Sequence, residues 1–148
     1  MLMKAIVQRV TESSVSINGN IHSEIKSGLC ILIGYCKDDQ QSVNIWLKDK
    51  LLGLRVFSDE SGKMNKSIQD IEGSLMIIPN FTLCADMQRG LRPSFTTSES
   101  PDKAEQLFNE LIHILSSHYP HVQTGIFGAD MQVFIKNDGP VTLIFEHS

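Results

Sequence analysis

Apolar and β-branched positions alternate through residues 3–17, MKAIVQRVTESSVSI, and predict a strand with a break near Glu12–Ser14. Asn18-Gly19 behind it is a two-residue hairpin signal, with NIHSEI as the return strand. LCILIGYC, residues 29–36, is apolar at both parities, which is the pattern of a strand covered on two faces. After the polar KDDQQS, the positions Val43, Trp46, Leu47, Lys50, Leu51 and Leu54 recur at helical spacing and predict a helix over 42–52. LRVF reads as a short strand and SDESGK as a turn. GSLMIIPNFTL, residues 73–83, reads as a second buried strand interrupted by Pro79.

A polar loop of about 17 residues follows, a length at which connections are usually functional or disordered. Ser100-Pro101 then opens a helix, with Ser as N-cap, Pro at the first helical position and Asp102 in the first turn. Ala104, Leu107, Phe108, Leu111, Ile112 and Leu115 form its apolar stripe, and Pro120 ends it. VQTGIFG, MQVFIK and VTLIFE read as three closing strands. Asp138-Gly139 between the last two suggests a tight turn, but Pro140 donates no ladder hydrogen bond and belongs at a strand start, an edge or a bulge. The order predicts one α/β domain over residues 1–148: a mixed, mostly antiparallel sheet curled toward a barrel and flanked by two main helices.

Composition narrows the class. Apolar residues make up 41% of the chain and charged residues 20%, values of a soluble globular protein and not of a disordered one. No stretch has the length and apolarity of a membrane span, and the N-terminus lacks a signal-peptide layout, so a cytoplasmic location is expected. The net charge of −4 limits any nucleic-acid contact to a local patch, suited to a short segment or an end. Cys30, Cys36 and Cys84 are odd in number and lack CxxC spacing, so neither a disulfide framework nor a zinc site is expected.

The residue chemistry alone is bland. His118 and His121 are separated by Pro120 and have no partners at ligand spacing, so no metal is expected. No G-x-S-x-G elbow, P-loop or dinucleotide fingerprint occurs. Arg89 and Arg92 in the long loop fit a solvated loop or an anion clamp, and Lys63 and Lys66 fit the same two readings. Thr82 is either an ordinary strand threonine or a nucleophile still lacking a base. Gly139-Pro140 is either a strand-start step or a cis peptide.

Six segments together carry more. AIVQRV, DESGKMNKS, FTL, RGLRPSF, TGIFGADMQV and NDGPVTL resemble, in order and spacing, the D-aminoacyl-tRNA deacylases. The resemblance implies hydrolysis of the ester between a D-amino acid, or glycine mischarged on tRNA-Ala, and the 3′-terminal adenosine of tRNA. It implies a homodimer with its active site at the subunit interface, the tRNA 3′ aminoacyl end as partner, and no metal, cofactor or membrane. It places Asn80, Phe81 and Thr82 at the acyl site, Thr82 acting through backbone or hydroxyl, with the adenosine 2′-hydroxyl as chemical assistant. Gly139-Pro140, expected cis and within reach of the other subunit's Asn80–Thr82, would stand where an L side chain must go. Phe127 and Met131 would wall the pocket, Arg9 would support the Gly-Pro segment, and Arg92 with Pro93-Ser94-Phe95 would shape the rim.

One departure matters: Pro79-Asn80 stands where the family usually has Ser-Gln. A branch that clears L-alanine from mischarged tRNA also has proline there, followed by QATL. Phe81 and GLRPSF place this chain with the D-specific branch. The alternatives that stay open are the L-alanyl editing enzyme, a non-catalytic dimer binding tRNA ends, and a small-ester hydrolase with Thr82 as nucleophile.

Overall fold

Strand β1 (Met3–Ile17) is the strand on which the sheet is assembled. Its first half lies between β3 (Gly28–Gly34) and the last strand, and its second half between β2 (Asn20–Ile25) and that same last strand. The computed structural model, which describes residues 2–148, continues with helix α1 (Ser42–Gly53) and the small hairpin β4 (Phe57–Ser58) and β5 (Met64–Lys66). Then come β6 (Ser74–Pro79), a single 3-10 turn at Phe81–Cys84, helix α2 (Pro101–His118), β7 (Val122–Thr124) and β8 (Gln132–His147). The main sheet runs β2-β1-β3-β6-β7, with β8 also on β1; β3-β6 and β6-β7 are parallel and the other pairs antiparallel. The buried Ser23 hydroxyl of β2 donates to the Thr124 carbonyl of β7 at 2.8 Å, so the two ends of the sheet meet and nearly close a barrel.

The runs that are apolar at both parities acquire two cores. Leu29, Ile31 and Ile33 of β3 and Leu75 and Ile77 of β6 face the helices, together with Leu47 and Leu51 of α1 and Leu107, Leu111 and Leu115 of α2. Cys30, Met76 and Ile78 face the other way, into the barrel with Val10, Val15 and Ile25. Helix α1 buries Asn44 among its apolar positions; the Asn44 amide donates to the Leu107 carbonyl at 2.8 Å and its oxygen accepts the Tyr35 hydroxyl at 2.6 Å. That polar residue ties the two helices, whereas Trp46 is half-buried and stacks on His147 with ring centroids 4.3 Å apart.

Three expectations are corrected. MQVFIK and VTLIFE do not form a hairpin, because both pair with β1 and make one 16-residue strand. A β1 of 15 residues offers an edge long enough for both, and the Asp138-Gly139-Pro140 step becomes a bulge in that strand. FTL leaves the strand: β6 ends at Pro79, and Phe81–Cys84 is a 3-10 turn. Cys36 and Cys84 form a disulfide, joining positions 48 apart whose proximity only the tertiary fold creates, while Cys30 stays a free buried thiol whose pKa burial raises.

The β3-β6 contact is tight at Gly28, where an added Cβ would stand 1.8 Å from the Ser74 carbonyl oxygen. Gly28→Ala is therefore expected to lower unfolding free energy by about 3 kcal/mol, through forced separation of the strands. Urea unfolding of the variant measures it; a loss under about 0.5 kcal/mol would contradict that packing.

Candidate active site

The barrel's inner face leads to its mouth. Beyond Cys30 and Met76 the same face continues with Leu32 and Ile78, and there β6 runs out at Pro79. The Asn80 N–H donates to the Ile33 carbonyl at 2.7 Å, the last ladder bond before the chain turns away. Gly34 permits the turn to sit so close, since a Cβ there would be 2.7 Å from the Asn80 carbonyl oxygen. The 3-10 turn that follows leaves the N–H groups of Phe81 and Thr82 without a backbone acceptor among the described residues.

A cleft of about 420 Å³ opens at this mouth. Asn80, Phe81 and Thr82 line one part of it, Met131, Val133 and Ile135 of the β8 side another, and Gly128–Asp130 its edge. Gly125 leaves room for Met131, whose sulfur would lie 2.7 Å from a Cβ at that position. Phe81 is 55% exposed and Phe95 40%, and their rings meet edge-on with centroids 5.0 Å apart at the rim. The loop between them is pinned at its base by the paired Asp86 and Ser94 backbones.

Thr82 does not have the surroundings of an activated nucleophile. Its hydroxyl donates to the Asn80 side-chain oxygen at 2.6 Å, and an amide oxygen takes no proton at neutral pH. Asp130 is the one titratable side chain lining the cleft, and neither the spacing nor the composition of the chain singles it out. No group of three or more His, Cys, Asp or Glu side chains among the described residues is arranged to hold a metal.

The second feature is the kink in the β1/β8 ribbon. Gln8 pairs with Thr142 and Val10 with Asn137, so Asp138–Val141 all stand opposite the single residue Arg9. Gly139 has φ +123°, and the Gly139-Pro140 peptide is cis. Arg9 fills the gap: its Nε donates to the Asp138 carbonyl at 3.1 Å and its Nη1 to the Val56 carbonyl at 2.6 Å. The Asp138 carboxylate lies 3.3 Å from Nε, but it is half exposed and adds little.

Within one chain the structure brings Asn80, Phe81, Thr82 and Met131 together, and does not bring Gly139 or Pro140 to them. Phe127 does not line this cleft within one chain: it packs toward α2, its ring 6.3 Å from that of Phe108, beside the helix-side core. Gly128, at φ +77°, reverses the chain between Phe127 and Met131, so the two side chains serve different surfaces. Arg92 is exposed in the rim loop with no salt bridge among the described residues, and Arg89 is the same.

The structure is a nearly closed barrel with two helices on one side and a small cleft at its mouth, edged by backbone N–H groups. Likeness to known proteins gives its family. A family model described as D-Tyr-tRNA(Tyr) deacylase matches residues 6–146. Proteins named D-aminoacyl-tRNA deacylase from Clostridium novyi (50% identical) and Fervidobacterium nodosum (46% identical) align over 97% of this chain and 97% of their own. A solved structure titled c-Myc DNA Unwinding Element Binding Protein superposes with TM-score 0.93 at 39% identity, covering 98% of this chain and 99% of that one. Another, titled as a probable eukaryotic D-amino acid tRNA deacylase, has TM-score 0.86 at 14% identity over 99% and 100%, a likeness of fold alone. The chain belongs to the D-Tyr-tRNA(Tyr) deacylase family and is a hydrolase.

Arg9→Met keeps the aliphatic bulk and removes the donors to the Asp138 and Val56 carbonyls. It is expected to cost about 2 kcal/mol of stability, since hydrogen bonds to a charged donor contribute about 1.5–3 kcal/mol each. Amide exchange at 137–141 should accelerate with it; unchanged protection there would show that Arg9 does not brace the bulge.

Proposed function

We propose that this chain hydrolyses the ester joining a D-amino acid to the 3′-terminal adenosine of tRNA, releasing the free D-amino acid and tRNA. The observation that carries the reading is the cleft at Asn80–Thr82 with the free N–H groups of Phe81 and Thr82, in a chain of this family. An aminoacyl ester is already an activated acyl group. Attack by water develops negative charge on the carbonyl oxygen, and each N–H aimed at it would contribute roughly 2.7–4 kcal/mol. Asp130 offers the cleft a carboxylate for the substrate's ammonium group, and the adenosine 2′-hydroxyl is placed by the substrate itself to assist.

Rejection of L-esters is assigned to Gly139-Pro140 of a second copy, whose carbonyl oxygens would occupy the space an L side chain needs. Three features support this. The segment stands out of the ladder, it is exposed, and Arg9 holds it rigidly, away from its own chain's cleft. The long edge strand β8 also suits pairing of two chains: none of its residues is fully buried, and Phe134 and Ile144 are 51% and 70% exposed. A backbone wall of this kind admits glycine, so glycyl-tRNA-Ala is included among the substrates.

The wild-type protein is expected to clear D-Tyr-tRNA while leaving L-Tyr-tRNA charged; release of tyrosine from both at similar rates would refute chiral selection. Pro79 in the cleft lining favours one rival, the L-alanyl editing enzyme, and release of L-alanine from a non-cognate tRNA with D-Tyr-tRNA left intact would establish it instead. Thr82→Val should retain activity within about tenfold, because its hydroxyl is not the nucleophile, whereas a nucleophilic threonine would lose activity by orders of magnitude. The double change Phe134→Asp, Ile144→Asp is expected to give a monomer by light scattering with D-ester hydrolysis lost. A fully active monomer would sink the shared site.

A further inference from the structure

The geometry points to Cys36 and Cys84 as a thiol–disulfide site through which a small disulfide, of the glutathione type, tightens or loosens the acyl-binding turn. Cys36 follows β3 and Cys84 ends the 3-10 turn that begins at Phe81, so the bridge fastens that turn to the sheet. Thr97 reinforces the same point, its hydroxyl donating to the Cys84 carbonyl. The neighbouring residues Phe81 and Thr82 carry the free N–H groups assigned to the developing oxyanion. Without the bridge, the turn keeps its own backbone hydrogen bonds, the close packing at Gly34 and the Thr97 hydrogen bond, but loses its one covalent tie to the sheet.

Cys36 and Cys84 are only 3% and 2% exposed, so exchange needs the turn to open, and it would open into a ready-made space. A second cavity of about 470 Å³, distinct from the acyl cleft, is lined by both cysteines together with Lys4, Asp86 and Glu146. Lys4 is the cation there that favours a thiolate, while Asp86 and Glu146 oppose a strongly anionic disulfide, so the site suits slow exchange. The fully buried Cys30 lies inside the barrel and does not line this cavity. Disulfides that form in reducing compartments are usually transient and sensing, whereas purely structural ones are rare there.

The exchange is balanced. One cysteine thiolate attacks a sulfur of the small disulfide, breaking its S–S bond and releasing one thiolate. The second cysteine, as thiolate, then attacks the mixed disulfide, forming the Cys36–Cys84 bond and releasing the other thiolate. The two cysteine protons end on the released thiols; two protein thiols are oxidised and one small disulfide is reduced.

The functional half of this inference rests on the deacylase reading; the chemical half does not. Full-length protein is equilibrated at graded ratios of reduced to oxidised glutathione. Intact mass after thiol alkylation, amide exchange at 81–84, and D-Tyr-tRNA hydrolysis are then measured. Oxidation should block two thiols, slow exchange at 81–84 and raise kcat/KM by about tenfold, because displacement of a positioned group by about 1 Å can cost about 100-fold. Cys36→Ser, and independently Cys84→Ala, should remain at the reduced wild-type level at every ratio, while Cys30→Ser should respond as wild type does. Failure of the two thiols to couple, or coupling with no change in exchange at 81–84, overturns the inference. If exchange responds but no D-ester is hydrolysed in any state, the deacylase reading fails and the thiol site stands without its regulatory role.

Discussion

A single guanidinium holds the point at which the two longest strands change direction. Arg9 stands alone against Asp138–Val141 and spends its donors on the Asp138 carbonyl and on Val56, a residue beyond α1. The bulge leaves backbone groups that a regular ladder would have satisfied, and a buried, unpaired carbonyl costs about as much as a lost hydrogen bond. Arg9 satisfies one of them, the Asp138 carbonyl, and with a second donor reaches the Val56 carbonyl, so it fastens the ribbon to the segment that follows α1. A lysine would supply one compact charge in place of the forked donors.

The rest of the architecture follows from that bend. Before it, Met3, Ala5 and Val7 of β1 face the helix-side core, as do Val141, Leu143 and Phe145 opposite them on β8. Beyond it, Val10 and Val15 of β1 and Val133 and Ile135 of β8 face the barrel interior. One ribbon thus serves two cores: a second register shift between Val10 and Glu12 turns Val15 to the same side as Val10, and the two irregularities together accompany the curl that brings Ser23 to Thr124. The barrel mouth so formed holds the cleft, and the same kink sets Gly139-Pro140 outside the chain's own sheet. The cleft and the projecting segment both lie on a ribbon whose register is broken twice, between Gln8 and Val10 and between Val10 and Glu12.

Much was legible along the chain. The Asn18-Gly19 turn, the doubly covered β3 and β6, and the Ser100-Pro101 start of α2 follow from periods and caps that depend on neighbouring residues alone. The readings that failed depended on a choice between partners. MQVFIK and VTLIFE satisfy the local rules for a hairpin, yet β1 competes for both and offers each a full-length neighbour. Phe81–Leu83 is strand-like in composition, but Pro79 ends the ladder, and Gly34 makes room for a turn.

The sequence by itself determined the mixed, helix-flanked sheet, the family, and the residues Asn80, Phe81, Thr82 and Met131 that meet at the cleft. Those features are written in spacing and in ordered motifs, which need no knowledge of what lies across the fold. Only the tertiary structure decided that Asp138-Gly139-Pro140 is a bulge braced by Arg9, that the Thr82 hydroxyl is engaged by Asn80, and that Cys36 meets Cys84. Each of these is a contact whose partner is chosen by how strands compete and how the sheet bends. Such energies belong to pairs of distant residues and leave no local mark.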